Sequence, residues 1–599
     1  MTAFALHAEF CGDGSPSFDW QCAVGAFADE DASGVSVGVA GRLSNHAELI
    51  RSLGLSSDWN CAELVREGWL RWGYDLADRL RGPCAVAVID RRQRRVYFAR
   101  DALGVIPVCY ASTEGKLVVA EGSRTIRAMT GAAHVLDNAQ LASCIAGGEG
   151  DTSRTFFKGI SRLPPGCWLE FRQDGLEIGT YWSPARAPAI NGEFDELVAR
   201  FAMLFDKAVG HAYVPGRTGL LLSGGLDSSM IAGSLSKVIG GGSDVTAVSM
   251  TYRQTKGWHD GPHLDALRSR LPFSFFDVPC DEHDPLSDLS SQLAAMDGPW
   301  ISYGHSVTLQ AMNRAAQEGC AVILNGHAGD EVIGYGFGRL NELAMAGRWY
   351  DLWRLAPIAA ALRHESRWDV FSFYLDHIRP VRALRKRWRR LPNLKSGGQA
   401  AQNLLSESAL DLVHDAFGPS PTLAIQSLHH DERMLHEAAL SSPIQARAFE
   451  VFAHASRTLG VETRMPFADR DLVEFSLGLP SHAKLGGGFT RFILREAMRG
   501  RVPESVRTRG DKFDFGGNFA AGLMRNPTLI CTRLARARER LGGMINAKAI
   551  EDLQAQVSGR GAKIDIPAAM AVWRLIVADM WLDLVDQDHS SGIVPSRPL

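Results

Sequence analysis

The sequence predicts an α/β protein in two parts: a strand-rich N-terminal domain over residues 1–185 and an α/β domain over 195–599 with a helical insertion at about 340–450. Three observations predict it. Short alternating apolar runs punctuated by Gly, Asp and Ser fill the first part. From about residue 195, strand-like runs alternate with helical periodicity, the pattern of a parallel sheet. Beyond about residue 340 the periodicity is almost wholly helical. A length of 599 residues suits two or more domains.

Taken in order, Gly34–Ala40, Cys84–Asp90 and Arg95–Ala99 read as strands. Leu163-Pro164-Pro165-Gly166 is a turn, with a further strand-like stretch to about Trp182 and an Ala/Pro-rich linker from Pro184 to Asn191. A helix is predicted over Phe194–Ala212, then an apolar strand at Thr218–Leu222, a glycine turn and another helix. Val245–Met250 and Ala321–Leu324 are the next strands. The apolar stretch Ile566 to Val585 carries Arg574, Asp579 and Asp583 where a membrane span would be driest, so it reads as an amphipathic core helix.

An apolar fraction of 46% and a charged fraction of 22% exclude a disordered or fibrous chain. With 64 Lys+Arg against 67 Asp+Glu, no global charge draws the chain to nucleic acid or an anionic membrane. Ten cysteines without a CxxC pair read as a reduced, zinc-free set. MTAFALHAEFCGDG meets Glu9 before any long apolar run and is not a secretory signal, so the expected location is cytoplasmic. The basic run Arg382–Lys395 reads as a solvated helix face or as a docking surface for an acidic or extended peptide.

The chemistry concentrates in two loops. SGGLDSS, Ser223 to Ser229, lies between a buried strand and a helix, where backbone N–H groups and the hydroxyls of Ser223 and Ser228 can surround a phosphate. Gly224 and Gly225 let the backbone approach the anion closely. Asp227 would repel bare phosphate, so it implies a divalent cation between them. No GxxxxGK[ST] occurs in this loop, which disfavours Walker-type machinery. LNGHAGDEVIGYG, Leu324 to Gly336, follows another short strand and offers Asp330 and Glu331 at a glycine-rich strand end, where open α/β sheets bind ligands. Asp330 with Asp227 could complete an oxygen-rich Mg²⁺ site; an acidic helix N-terminus is the plainer reading.

These motifs, with GVETRMPFADRDLVEFSLGLP at Gly460–Pro480, resemble the asparagine synthetase superfamily. The resemblance extends to LRGPCAVAVIDRRQRRVYFARDALGVIPVCY at Leu80–Tyr110 and to LPSHAKLGGGFTRFILREAMRGRVPESV near the C-terminus. It implies an N-terminal nucleophile (Ntn)-type β-sandwich followed by an adenylating, PP-loop, pyrophosphatase-like α/β domain, using ATP and Mg²⁺. A substrate carboxylate would attack the ATP α-phosphate, and an amine would capture the acyl-adenylate. By the same resemblance Leu222, Ser223 and Asp227 match nucleotide-loop positions, Met250 an adenine-side position, and Asn325 and Gly326 a second nucleotide contact.

The chain departs from its family in three ways. Glutamine-hydrolysing members begin with Cys after the initiator Met; here residue 2 is Thr, itself a possible nucleophile. The family's glutamine-holding Asn-Gly-Glu is replaced by AGRLSN, Ala40 to Asn45, and Cys11 and Cys22 lie inside the chain without an α-amino base. The glutaminase therefore reads as dead. Second, the family carries Glu, or Tyr in β-lactam synthetases, three residues before the motif Asp, whereas this chain has His327. His327 reads as a general base if a carboxylate orients it, and by the resemblance Glu450, counted back from Gly460, falls near the carboxylate that partners the β-lactam synthetase tyrosine; the alternatives are that His327 caps the loop or packs on the adenine side and that Glu450 is a surface helix residue. Lys512 in RTRGDKFDF resembles the family lysine that stabilises charge on the acyl-adenylate, although strict spacing from Pro503 falls on Asp511. Third, 132 positions separate Asp330 from Glu462, room for an added helical lobe.

Within the superfamily this combination most resembles lasso peptide cyclases, which join an Asp or Glu side chain of a core peptide to its own N-terminal amine. That resemblance implies a core peptide substrate, with a leader peptidase and a leader-binding protein as candidate partners. The competing expectations are an ammonia- or glutamine-dependent asparagine synthetase-like amidotransferase, a β-lactam synthetase-like cyclase, and a non-catalytic scaffold. Intact Asp227 and Asp330 argue against the last.

Overall fold

The computed structural model describes residues 4–10, 16–22, 25–28, 32–56, 58–113, 115–131, 135–148, 150–242, 244–255, 257–300, 302–363, 365–377, 404–418, 430–511, 513–559 and 563–590. Thr2, Cys11, Lys512 and the basic stretch 382–395 lie outside the described residues.

The first part is two stacked antiparallel sheets. One runs in the order Pro16–Cys22, Phe4–Phe10, Lys116–Ala120, Cys109–Thr113, Ser161–Arg162; the other runs Gly175–Thr180, Cys167–Arg172, Arg95–Arg100, Cys84–Asp90, Val35–Gly41, Gly25–Ala28. Leu6, Ala8 and Val119 of the first meet Ala85, Ala87, Ile89 and Phe98 of the second in the sandwich core. The alternate residues Val86 and Val88 pack outward beneath the helices His46–Leu53 and Cys61–Trp72. Cys84–Asp90 is thus buried on both faces, which is why it reads as a continuous apolar run.

The second part is built on a parallel sheet ordered Ser274–Pro279, Val245–Thr251, Thr218–Leu221, Val322–Leu324, Glu462–Arg464. The predicted helix Phe194–Ala212 forms with those bounds. Both edge strands escape the sequence pattern: SFFDVP carries Asp and Pro, and Glu-Thr-Arg is three polar residues. The earliest strand, Thr218–Leu221, lies in the middle, so connections leave it in both directions and open a crevice at the strands' C-terminal ends.

Helices Gly338–Met345, Trp349–Arg363 and Arg367–His377 build a small core of their own from Leu340, Leu352, Ala356, Val370 and Tyr374, closed by Leu485. The last helix, Ile566–Ser590, buries Val572, Trp573 and Ile576, and Arg533 pairs with buried Asp579 at 3.0 Å. Among the described residues no helix is long and apolar enough to cross a membrane. The linker stretch is pinned to the second part: Ile190 N donates to Gly478 O (2.8 Å), and Arg433 Nη2 to Ala187 O (2.6 Å).

Candidate active site

The crevice brings the two loops together. Leu222, buried, donates its N–H to Val248 O (2.9 Å) and ends the strand. The chain then turns through Gly224, whose φ of +71° is left-handed backbone that glycine adopts without strain. Ser223 and Ser228 hold the turn: Ser223 N donates to Ser228 Oγ (3.1 Å), and the two hydroxyls lie 3.0 Å apart. Gly225 caps the helix Leu226–Val238, directing its N-terminus at the crevice. Arg509, buried, donates to Gly224 O (3.2 Å) and to Asp260 (2.5 Å), bracing the loop from behind. Met250 lies near the end of the neighbouring strand, in register with Val278.

The second loop abuts the first. Asn325 is buried and accepts from His327 N (2.9 Å). At Gly329 a Cβ would lie 2.7 Å from Asp227 Cγ, and at Gly326 3.0 Å from Asp227 Cβ and Ser228 N. Only glycine permits this approach, and it is what brings Asp330 to Asp227.

One nitrogen reports how far the carboxylates converge. Arg491 Nη1 donates to Asp227 Oδ1 (2.7 Å), Asp227 Oδ2 (3.0 Å) and Asp330 Oδ1 (2.5 Å). Burial opposes the Arg491 charge, and Asp227 and Asp330 more than offset it, holding the guanidinium above its ordinary value. The same guanidinium lies 5.4 Å from the Tyr335 ring centroid. Arg491 is not among the residues the motifs single out; its signal is a cation three positions after the glycine turn of GGGFTRFILRE.

These residues fit a divalent cation. Oxygens of both carboxylates lie within 3.0 Å of one cationic atom. Among the described residues no group of three or more His, Cys, Asp or Glu could hold a metal. Two carboxylates whose remaining ligands come from phosphate and water are the arrangement Mg²⁺ favours.

His327 sits on the same loop. Its ring meets Phe449 edge-on at 5.7 Å and Phe452 at 5.3 Å. Among the described residues the buried Nε2 has no hydrogen-bond partner. Burial pushes the imidazole down to about 4, with the Asp330 carboxylate acting weakly the other way. It is therefore neutral at physiological pH.

Glu450 does not orient that ring as expected. Its carboxylate accepts from Arg162 Nε of the first part (2.9 Å), and among the described residues no hydrogen bond joins it to His327. Burial raises its pKa, but Arg162 and Arg100 overcome this and keep it ionised. The reason is helical phase: on Pro443–Leu459, Phe449 and Phe452 share a face and Glu450 is turned about 100° from Phe449. The lysine position lies outside the described residues; beside it, Asp511 is held by Arg509 Nε (2.8 Å).

In the first part, Ala40–Asn45 is spent on internal bonds. Asn45 donates to Arg79 O (2.9 Å) and accepts from Arg81 N (3.1 Å), and Arg42 reaches His211 O (3.0 Å) of the second part.

The asparagine synthase family model matches residues 200–583, and the glutamine amidotransferase domain model matches 27–182. An asparagine synthetase [glutamine-hydrolyzing] 3 of Bacillus subtilis (strain 168) is 24% identical over 463 residues, 75% of this chain and 69% of the relative. A putative asparagine synthetase [glutamine-hydrolyzing] of Mycobacterium tuberculosis (strain ATCC 25618 / H37Rv) is 30% identical over 181 residues, 28% of this chain and 27% of its own. A glutamine phosphoribosylpyrophosphate amidotransferase structure from B. subtilis aligns with 40% of this chain and 58% of its own at a TM-score of 0.21 and 13% identity. The two family matches flank the Pro184–Asn191 stretch.

Proposed function

The chain belongs to the asparagine synthase family of ATP-dependent carbon–nitrogen ligases, with an Ntn amidotransferase-type first domain, and we propose that it closes a macrolactam on a peptide. A side-chain carboxylate of Asp or Glu attacks the ATP α-phosphorus, and the bond to pyrophosphate breaks. The peptide's N-terminal amine then attacks the acyl carbon, loses a proton, and AMP departs.

In this reading the Ser223–Ser229 loop, with Leu222, Met250, Asn325 and Gly326, holds the nucleotide. Asp227 and Asp330 would hold Mg²⁺, which when bound neutralises phosphate charge. Arg491 supplies a fixed cation beside them, and its buried position makes that charge effective. Lys512 keeps its proposed place beside the acyl-adenylate.

The observation that carries the reading is His327. A neutral imidazole whose buried Nε2 has no hydrogen-bond partner among the described residues, packed beside Phe449 and Phe452, is an acceptor to which an amine brought against it can lose its proton. Two further features favour an amine other than glutamine-derived ammonia: Thr2 in the nucleophile position, and an Asn45 amide already bonded at both ends. The test follows pyrophosphate and cyclic product separately on one Asp- or Glu-containing peptide. Release of both supports the reading, and ATP turnover with aspartate and ammonia alone sinks it. The second reading, an ammonia- or glutamine-dependent amidotransferase, is favoured by the glutamine-hydrolysing asparagine synthetases among the relatives.

A further inference from the structure

Behind the Asp330 loop lies a buried ionic cluster that the chemistry above does not use. Lys484 is wholly buried, and its Nζ donates to His436 Nδ1 at 2.6 Å and lies 3.6 Å from Glu432 Oε1. On the other side of the imidazole, His436 Nε2 is 2.7 Å from the carbonyl oxygen of Glu331. A carbonyl only accepts, so Nε2 carries the hydrogen and Nδ1 receives one from Lys484. The tautomer is thereby set by its two neighbours. Burial, then the Lys484 charge, pushes this imidazole down to about 3, so it stays neutral.

The cluster grips the loop at a second point. Glu432 Oε2 accepts from Gly338 N (2.9 Å), while Glu432 N donates to Glu342 Oε1 (3.0 Å). Glu342 is also held by Ser481 Oγ (2.5 Å). The loop runs close enough for these bonds because it lacks side chains: a Cβ at Gly336 would lie 2.6 Å from Leu485 N, and one at Gly338 would strike the Glu432 backbone.

Lys484 also opens the short hairpin Leu485–Gly486/Phe489–Thr490, and Arg491 follows directly. One end of the hairpin therefore bonds the residue after Asp330 through His436. The other end bonds the Asp330 carboxylate itself.

We infer that Lys484, His436 and Glu432 are positioning residues that set Asp330 for divalent-cation binding, with the hairpin tying that setting to Arg491. The inference rests on the proposed Asp227/Asp330 cation site. Lysine and glutamate taken fully out of water carry a large desolvation cost before pairing, and an apolar core would hold a helix and a turn without it. What the ionic cluster supplies is direction: hydrogen bonds to one carbonyl and one amide on either side of a glycine-rich bend. Metal-site partners beyond the ligands commonly act this way.

The experiment measures binding of a non-hydrolysable ATP analogue by thermal shift across a Mg²⁺ series, on the full chain and without turnover. Lys484→Met alone would strand Glu432, so the first variant is Lys484→Met/Glu432→Gln, in which Gln still accepts from Gly338 N. The second is His436→Phe, which keeps a ring and removes both nitrogens. The expected result is a rise of about 10- to 100-fold in half-saturating Mg²⁺ in each, the usual cost of losing an outer partner of a metal site. The ligand-free melting temperature of the double variant should stay near that of the parent. A folded variant with the parental Mg²⁺ requirement overturns the inference. Unfolding of both variants would reduce the cluster to a stability element and overturn it as well. If the parent chain itself fails to bind the analogue, the proposed nucleotide site falls, and the clamp's purpose with it.

Discussion

Arg162 Nε donates to Glu450 Oε1 at 2.9 Å across the boundary between the two domains, with both side chains buried. Arg162 ends the Ser161–Arg162 strand of the first domain. Glu450 stands on the helix whose Phe449 and Phe452 wall the His327 ring. The amidotransferase-type domain thus braces one side of the candidate synthetase site.

Removing one partner of this pair leaves a buried charge alone. Arg162→Met or Glu450→Gln should each destabilise the protein by about 3–5 kcal/mol. The double variant should recover much of that loss. Denaturant melts of the three variants check this. Equal losses in single and double variants would mean that the pair is not coupled.

Asp227→Asn and Asp330→Asn should each slow pyrophosphate release by more than about a hundredfold, since metal clamping of phosphates contributes several kcal/mol. Each variant leaves Arg491 one carboxylate, so circular dichroism should be unchanged. Near-parental pyrophosphate exchange in either one removes the metal assignment.

His327 also makes a pH prediction. Its pKa is about 4 in the folded chain against an ordinary 6.5. Between those values the unfolded state binds more protons, so the stability from keeping the ring neutral is complete above pH 6.5 and is lost as pH falls toward 4. The amount is up to about 3 kcal/mol. His305, held down to about 4 by burial and then by His454, adds a loss of the same sign. Unfolding free energy of His327→Gln should therefore fall less steeply across this window than that of the parent. Parallel slopes would show that His327 titrates normally.

Glutamine should yield no ammonia with or without ATP, and Thr2→Ala should leave ligation unchanged. The reason lies in Ala40–Asn45, where the Asn45 amide is already bonded to Arg79 O and Arg81 N. Thr2-dependent ammonia release would return the chain to the amidotransferase class.

What the sequence made legible was local. SGGLDSS announces its own geometry, because Gly224, Ser223 and Ser228 close the turn within the motif. Asp227 and Asp330 could be paired across 103 positions because each motif is itself recognisable. Arg491 and Glu450 were not legible in the same way. Arg491 meets Asp227 from 264 residues away, and Glu450 meets Arg162 from 288. A partner at that distance leaves no spacing to count, and the rotation of one helix decides whether Glu450 faces His327 or the other domain.

That rotation bears on the last prediction. Among the described residues no hydrogen bond joins Glu450 to His327, so in the proposed reading His327 would act as a neutral acceptor beside Phe449 and Phe452. His327→Ala should still form the adenylate and release pyrophosphate, yet close the ring about 100- to 10,000-fold more slowly, the usual contribution of a positioned base. Some closure should survive, because an amine tethered to the activated acid already has a high effective molarity. Since the ring stays deprotonated, closure by the parent should show no inflection near pH 6.5. Glu450→Gln should lower stability and leave the ratio of cyclic product to pyrophosphate unchanged in the fraction that remains folded. If pyrophosphate and product fall together in His327→Ala, the residue serves adenylation or folding, and the amine must lose its proton to another group.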